Sequence, residues 1–303
     1  MLDVCLLGTG GTVPLPNRAL TACLLNYKGK QVLIDCGEGT QVALHKEGIS
    51  CKHIDTILLT HYHADHTAGL PGLLLSMAKS DRTEPVEIIG PKNLKEIIQG
   101  VLLLARYIPF EIRYRELTEK EEVLDIAGLK ITAFAVKHKV PCYGYSIYAE
   151  RQPVFDREKA ERNQVPLKCW NILQKGESVE LDGILYTPDM VLGKDRKGLK
   201  VVYCTDTRPV PLLEKYVQDA DLYIGEGMYG DEEKLEKARL NYHSMMSETA
   251  TLASNGNVKE LWLTHYSPSM PYPEEYAEKI KAIFPAAVIC KDGQRKDMKY
   301  PEE

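Results

Sequence analysis

Six consecutive positions, His61-Tyr62-His63-Ala64-Asp65-His66, hold three histidines and one aspartate. The apolar run Ile57-Leu58-Leu59 leads into them through Thr60. A packed core has little use for imidazole at that density, whereas a pair of metal ions does. Neutral imidazole and carboxylate are the ligands that borderline divalent metals such as zinc prefer. His61 and His63 are two apart in an extended stretch, so both can turn toward one point. Asp65 and His66 follow and can reach a second point nearby.

Other chemistry-bearing residues stand at the ends of apolar, β-branched runs. His138 ends Ile131–Lys137, Asp206 follows Lys200–Cys204, and His265 follows Leu261-Trp262-Leu263-Thr264. A sheet aligns the ends of its strands along one rim, so such residues converge. With His243 counted, six of the eight histidines have a place in one site. His45 and His53 are left as surface or satisfied core residues. A closed zinc site that only holds the fold is the competing reading. The chain is long enough to bury its own core, and carboxylates among many histidines suit an open two-metal site better than a sealed tetrahedral one.

The elements that must position these residues alternate in type. Strands are expected over 2–7, 20–27, 30–35, 54–60, 86–89, 110–115, 122–126, 130–136, 143–149, 200–204, 221–225, 260–264 and 286–290. Lys28-Gly29 marks a hairpin turn. Helices are expected up to Lys46, from Leu70 or Pro71, over 91–106, 210–217, 231–239, 244–254 and 274–283. Proline is tolerated in a first helical turn. Alternation in both halves favours an α/β sandwich, two sheets face to face with helices outside. One domain over 1–303 is expected, with a less regular, more polar insertion over 150–198. Gly8-Thr9-Gly10-Gly11 follows a strand, but a third glycine is missing and Pro14 and Pro16 block a helix start, so a dinucleotide loop is rejected.

The 303 residues are 44% hydrophobic and 27% charged, an ordinary globular mix. No apolar run approaches the ~20 residues of a membrane span. Met1-Leu2-Asp3-Val4-Cys5 has no basic region ahead of an apolar core and so does not read as a secretory signal. The eight cysteines are scattered without a Cys-x-x-Cys pair, which fits a reduced cytoplasm. A net charge of −5 argues against coating nucleic acid over the whole surface and leaves room for a local basic patch.

Thr60-His61-Tyr62-His63-Ala64-Asp65-His66 resembles the His-x-His-x-Asp-His signature of the metallo-β-lactamase superfamily. Further motifs, in order along nearly the whole chain, resemble its ribonuclease Z branch, the transfer-RNA 3′ endonucleases. They are Leu7-Gly8-Thr9-Gly10, Asp35-Cys36-Gly37-Glu38-Gly39-Thr40-Gln41, Lys137-His138 with Gly144-Tyr145 and Glu150, Thr205-Asp206-Thr207-Arg208-Pro209, and Leu263-Thr264-His265-Tyr266-Ser267-Pro268. The resemblance implies a metallo-β-lactamase-like αββα sandwich, two Zn2+ per chain, a precursor-tRNA substrate and a homodimer. It implies that His61, His63 and His138 hold one zinc, that Asp65, His66 and His265 hold the other, and that Asp206 bridges them. Asp65 would also be the general base, and His243 the proton donor. Asp35 would orient a ligand histidine; a turn former before Cys36-Gly37 is the plainer alternative. For His243, a polar helix-start residue beside Ser244 is the alternative.

Three departures bear on substrate. Where the family has His-Glu-Ala-Thr, this chain has Gly225-Glu226-Gly227-Met228, so Glu226 alone remains to support the acid. Where it has His-Ser-Thr, the chain reads His243-Ser244-Met245, which thins the expected network. In the place of the RNA-gripping arm, Arg151–Gly176 carries six basic and three acidic residues and Val165-Pro166-Leu167-Lys168-Cys169-Trp170 instead of a Gly-Pro element. Arg151, Arg157, Arg162, Lys168 and Trp170 are the candidate RNA contacts, with a merely solvated loop as the alternative. A related hydrolase on a smaller phosphodiester, or a non-catalytic metal-dependent RNA-binding protein, are the competing functions.

Overall fold

The structure is a computed structural model and describes residues 1–105 and 107–301. The chain divides into two compact units, Met1–Tyr148 with Lys200–Lys299, and Ala149–Leu199 with the residues from Tyr300 onward.

The first unit begins with β1 (Leu2–Gly8), β2 (Ala22–Tyr27), β3 (Lys30–Ile34), β4 (Ile54–Leu58), β5 (Val86–Pro91) and β6 (Ile112–Leu117). It continues with β7 (Glu121–Ile126), β8 (Leu129–Val136) and β9 (Cys142–Arg151). The insertion carries the hairpin β10 (Val179–Leu181) and β11 (Ile184–Tyr186). β12 (Arg196–Cys204), β13 (Leu222–Glu226), β14 (Leu261–Thr264), β15 (Ala287–Ile289) and β16 (Gln294–Met298) complete the strands. One seven-stranded sheet runs β16-β1-β2-β3-β4-β5-β6 and the other β15-β14-β13-β12-β9-β8-β7. In each, an antiparallel part joins a parallel part: β3 to β6 are parallel in the first, β12 to β15 in the second.

All seven residues of β1 are buried, as expected of a strand covered on both faces. One cover is helical. α1 (Thr40–Lys46), a single turn α2 (Ala64–Thr67), α3 (Leu70–Lys79) and α4 (Leu94–Val101) follow strands of the first sheet. Leu44, Leu73, Met77 and Ile98 from these helices pack with Leu33, Ile57 and Ile88. Across the interior, the Tyr145 hydroxyl of β9 donates to the Leu59 carbonyl at 2.7 Å, tying the second sheet to the first. The insertion adds α5 (Arg157–Arg162) and α6 (Leu167–Gln174); then come α7 (Pro211–Val217), α8 (Leu235–Asn241), α9 (Met246–Asn255) and α10 (Ala277–Ile283). Leu213, Val217, Met246, Ala250 and Ile280 pack with Val202, Leu261 and Leu263 of the second sheet. The two mixed sheets with outer helices are the αββα sandwich expected from the alternation. Each fully buried Leu or Ile contributes about 1.5–3 kcal/mol to holding it.

Three expectations change. The helix over 91–106 is shorter, since Asn93 takes a φ of 69° just before Leu94 and a 3-10 turn over Leu102–Leu104 ends it; residue 106 lies outside the described residues. β16 is an additional strand: its Gln-Arg-Lys-Asp-Met composition alternates burial at a sheet edge, where charge is the norm. The stretch 150–198, expected to be less regular, holds two short helices and a hairpin. Asp156 caps α5 by accepting from Lys159 N at 2.9 Å. Ala160, Val165, Cys169, Leu173, Tyr186 and Val191 form an apolar cluster of the second unit's own. Among the described residues no helix is long and apolar enough to cross a membrane.

Candidate metal centre

The carboxyl ends of both parallel strand sets supply the site, as in open α/β sheets generally. Asp35 follows β3, His61 follows β4, Asp206 follows β12, Glu226 ends β13 and His265 follows β14. His138 follows β8, while Asp65 and His66 lie on α2. Three of these residues are left-handed: φ is 60° at Asp35, 42° at Asp206 and 58° at His265. That conformation turns a side chain back across the strand end, and non-glycine residues adopt it at a cost.

The donor atoms form two groups that meet at Asp206. One ligand atom from each of His61, His63, His138 and Asp206 lies within 4.8 Å of the others. Asp65, His66 and His265 make a second such group. Asp206 Oδ2 faces the first, 3.6 Å from His61 Nε2 and 3.7 Å from His138 Nε2. Its Oδ1 faces the second, 3.0 Å from His265 Nε2 and 3.3 Å from His66 Nε2. Asp206, His243, His265 and Glu226 form a third overlapping group.

Ring nitrogens confront each other: His61 Nε2 and His63 Nδ1 at 2.9 Å, His138 Nε2 and His63 Nδ1 at 3.3 Å, His66 Nε2 and His265 Nε2 at 3.2 Å. Asp206 Oδ1 and His265 Nδ1 are buried without a hydrogen bond in acceptable geometry. Buried polar atoms are almost always hydrogen-bonded. Ring nitrogens and carboxylate oxygens crowded this closely, two of them unsatisfied, are the arrangement a shared divalent cation satisfies, so this donor set fits a metal.

Charge agrees with that. Burial holds the pKa of His61, His63 and His138 below the ordinary imidazole value, so these rings are neutral and keep a lone pair to donate. Burial also opposes a proton on His66 and His265, but carboxylates outweigh it. Asp35 and Asp206 bring His66 up to about 10, and Asp206 raises His265 well above its usual value. Buried carboxylates thus recruit positive charge to the second group, which a divalent ion carries in place of protons.

Residues behind the donors fix them. Asp35 Oδ2 lies 2.8 Å from His66 Nδ1, while its Oδ1 accepts from Thr60 N at 2.8 Å. The Thr60 hydroxyl also reaches His61 Nδ1 at 3.1 Å. His138 Nδ1 stands 3.3 Å from the Tyr242 carbonyl, which turns Nε2 toward His63. Thr12 N donates to Asp65 Oδ2 at 2.6 Å. The glycine-rich segment after β1 serves the site by its thinness: a Cβ on Gly11 would lie 2.6 Å from His265 Cε1. Sequence reasoning missed Thr60 and Thr12. Thr12 acts through its backbone, which carries no signature. Thr60 stands directly before His61 in the motif, where a threonine has no chemistry of its own to announce.

Around His243 the expected thinning is only partial. Glu226 Oε1 lies 2.6 Å from His243 Nδ1, and Oε2 accepts from Ser244 N at 2.6 Å. The Ser244 hydroxyl donates to the Thr207 carbonyl at 2.5 Å. Arg208 donates to the His243 carbonyl at 2.6 Å and to Glu248 Oε2 at 2.7 Å, a clasp on the backbone that sequence reasoning also missed. Met228 and Met245 contribute packing instead, in an apolar cluster with Tyr229 and Ala238. An open cavity of about 700 Å³ exposes His63, Asp65, His138, Asp206 and His243.

The five candidate RNA contacts belong to the second unit. Arg157, Arg162 and Lys168 are exposed, and Arg157 pairs with Glu161 at 2.7 Å. Arg151 donates to the Pro301 carbonyl at 2.7 Å. Trp170 is half-buried; its indole N–H donates to the Val165 carbonyl at 2.9 Å and its ring stands 5.0 Å from that of Phe155.

Residues 2–155 match the family described as "Anti-Pycsar protein Apyc1". Ribonuclease Z of Lachnospira eligens is 49% identical over 303 residues, all of both chains. Among solved structures, the short form of human tRNase Z superposes with a TM-score of 0.70 at 25% identity, covering 99% of this chain and 100% of that one. The metallo-β-lactamase fold protein YhfI of Bacillus subtilis reaches 0.71 at 20% identity, with 97% and 98% covered. The first match spans the N-terminal half, whereas the second runs end to end at nearly half identity. The chain therefore belongs to the ribonuclease Z family, of metallo-β-lactamase fold.

Proposed function

We propose that the protein is a zinc-dependent endoribonuclease that removes the 3′ trailer from precursor tRNA. The observation that carries this reading is the double donor group meeting at Asp206, in a chain related over its full length to ribonuclease Z. His61, His63 and His138 would hold one ion, Asp65, His66 and His265 the other, and Asp206 both. Bound there, the two ions would supply Lewis acidity, acidifying water and offsetting charge on a phosphodiester.

The chain's own residues then divide the proton work. Asp65, fixed by the Thr12 N–H, takes a proton from the attacking water as its oxygen bonds to phosphorus. As the bond to the leaving oxygen breaks, His243 gives that oxygen a proton. Glu226 engages Nδ1 of His243, which leaves Nε2 for the substrate. Arg208 and Ser244 hold the backbone on which His243 sits.

Arg157, Arg162 and Lys168 are read as phosphate contacts of an inserted arm within one domain; Trp170 is read as packing it. Eight free cysteines support a reducing compartment, the cytoplasm. A homodimer is expected from family resemblance, and sedimentation reads it directly. Met228 and Met245, standing where the family has threonine, favour a second reading, a smaller phosphodiester as substrate.

One assay decides. Zinc-loaded protein receives precursor tRNA with a 3′ trailer and, separately, a chromogenic phosphodiester. Cleavage at the trailer junction is the expected result. Cleavage of the small ester alone selects the second reading, and inactivity on both with zinc bound removes the enzyme reading.

A further inference from the structure

Among the described residues, the mouth of the cavity carries lysines without acidic partners. Lys139 and Lys237 line the cavity itself, together with Asn241, Ser267 and Ser269. Lys139 Nζ donates to Asn241 Oδ1 at 2.9 Å. Lys137, two residues before it, stands over the Tyr242 ring at 5.7 Å. Lys234 and Lys237 stand over Tyr229 at 5.9 and 5.5 Å, and Lys234 reaches Ser269 Oγ at 3.3 Å. The turn after β8, the helix α8 and the residue before it thus present one basic edge on the His243 side of the cavity.

Among the described residues, none of Lys137, Lys139, Lys234 and Lys237 forms an ion pair with a carboxylate. Their neutral contacts leave the full charge outward. This is not for want of acids nearby. Glu232 pairs with Lys279 and Glu236 with Arg239. Elsewhere in the same unit Lys30, Lys215, Lys259 and Lys296 each pair with Asp or Glu. In a chain of net charge −5, a basic edge left uncompensated at the mouth of this cavity calls for a polyanion that runs past it.

We propose that Lys137, Lys139, Lys234 and Lys237 form a docking edge for backbone phosphates of the RNA strand that carries the leaving oxygen. The inference rests on the endoribonuclease reading and names where its substrate is held. His243 donates to the leaving oxygen, so the strand on the His243 side is the one released with that oxygen. Lysines read charge and not base identity, so the edge accepts any sequence there. Tyr229 lies beneath the ammonium groups of two of the lysines and attracts them without neutralising them.

The test uses the full zinc-loaded chain and the double variant Lys139→Ala/Lys237→Ala, with Lys139→Arg/Lys237→Arg as rescue. Zinc content and thermal unfolding check that each variant is folded and loaded. The alanine pair is expected to raise KM for precursor RNA several-fold and to lower kcat/KM for RNA more than for a small chromogenic phosphodiester. The salt slope of log kcat/KM for RNA should become shallower by about 0.7 for each single-strand phosphate that the variant no longer neutralises. The arginine pair should restore both. RNA and small ester falling in the same proportion would overturn the proposal, because the lysines would then be acting on the chemistry or on the fold. An unchanged KM and salt slope would overturn it too. Should the native protein cleave no RNA, the function reading fails. The edge is then judged by anisotropy with a labelled single-stranded RNA: salt-sensitive binding that disappears in the alanine pair supports it, and equal binding by both proteins overturns it.

Discussion

At the scale of single residues, the site divides into side chains whose type announces their chemistry and side chains whose neighbours do. Histidines and aspartates clustered at strand ends are legible in the sequence. The left-handed φ of Asp35, Asp206 and His265 is not, because no residue pattern marks it and only the finished sheets hold it against a cost of about 1–3 kcal/mol each. Asp35 and His243 test this division. Asp35→Asn keeps an acceptor for Thr60 N but loses the charge that faces His66. Its expected effect is a divalent-metal affinity about 10–100-fold lower, read by competition with a chromogenic chelator. Unchanged affinity would show that Asp35 only shapes the turn before Cys36-Gly37. His243→Ala, in contrast, is expected to keep its metal while kcat falls about 100- to 10,000-fold, the range of a lost general acid. Turnover equal to the native protein's would rule out His243 as the proton donor. Thr60 is illegible for a different reason. Its role exists only once α2 has brought His66 back over Asp35.

At the scale of elements, hydrophobic runs place the central strands well, since a strand covered on both faces must be apolar throughout. What escapes is set by neighbours or by polar edges. β16 pairs with β1 across nearly the whole length of the chain and shows only polar alternation. The helices of the insertion are short and held by a small apolar cluster that reads locally as a polar loop. The glycine-rich segment after β1 is no dinucleotide loop, and its purpose lies in the approach of His265 to Gly11. Gly11→Ala is therefore expected to displace the His265 ring, destabilise the zinc-loaded protein by about 1–3 kcal/mol and weaken metal binding. Gly100→Ala is the matching control. Gly100 lies within α4 with nothing within 4 Å of its added Cβ, and there alanine should stabilise by about 0.5–1 kcal/mol. Thermal unfolding of the two variants side by side decides. A Gly11→Ala protein as stable and as metal-avid as the native one would show that the loop yields without disturbing His265.

For the whole molecule, the candidate metal centre sits where the two sheets meet, so its donors belong to the fold as much as to the chemistry. Five histidines and three aspartates from both sheets converge on it: Asp35, His61, His63, Asp65 and His66 come from the first half, Asp206 follows the central strand β12 of the second sheet, and His138 and His265 follow β8 and β14, each next to an edge strand. Without a cation, several of these groups crowd ring nitrogen against ring nitrogen or stand buried without a partner. A ligand that binds the folded chain stabilises it by mass action, about 4 kcal/mol when its free concentration is a thousandfold above Kd. In a unit of this size each kcal/mol moves Tm by about 2–4 °C. Stripping the metal with a chelator is thus expected to lower Tm by about 10 °C, and added zinc to restore it in proportion to the logarithm of its free concentration. The donors span both sheets, so the loss should appear as one shifted transition of the first unit and not as local loosening at the loop His61–His66. A chelated protein whose Tm does not move, and does not respond to zinc, would mean that the convergence at Asp206 holds no metal.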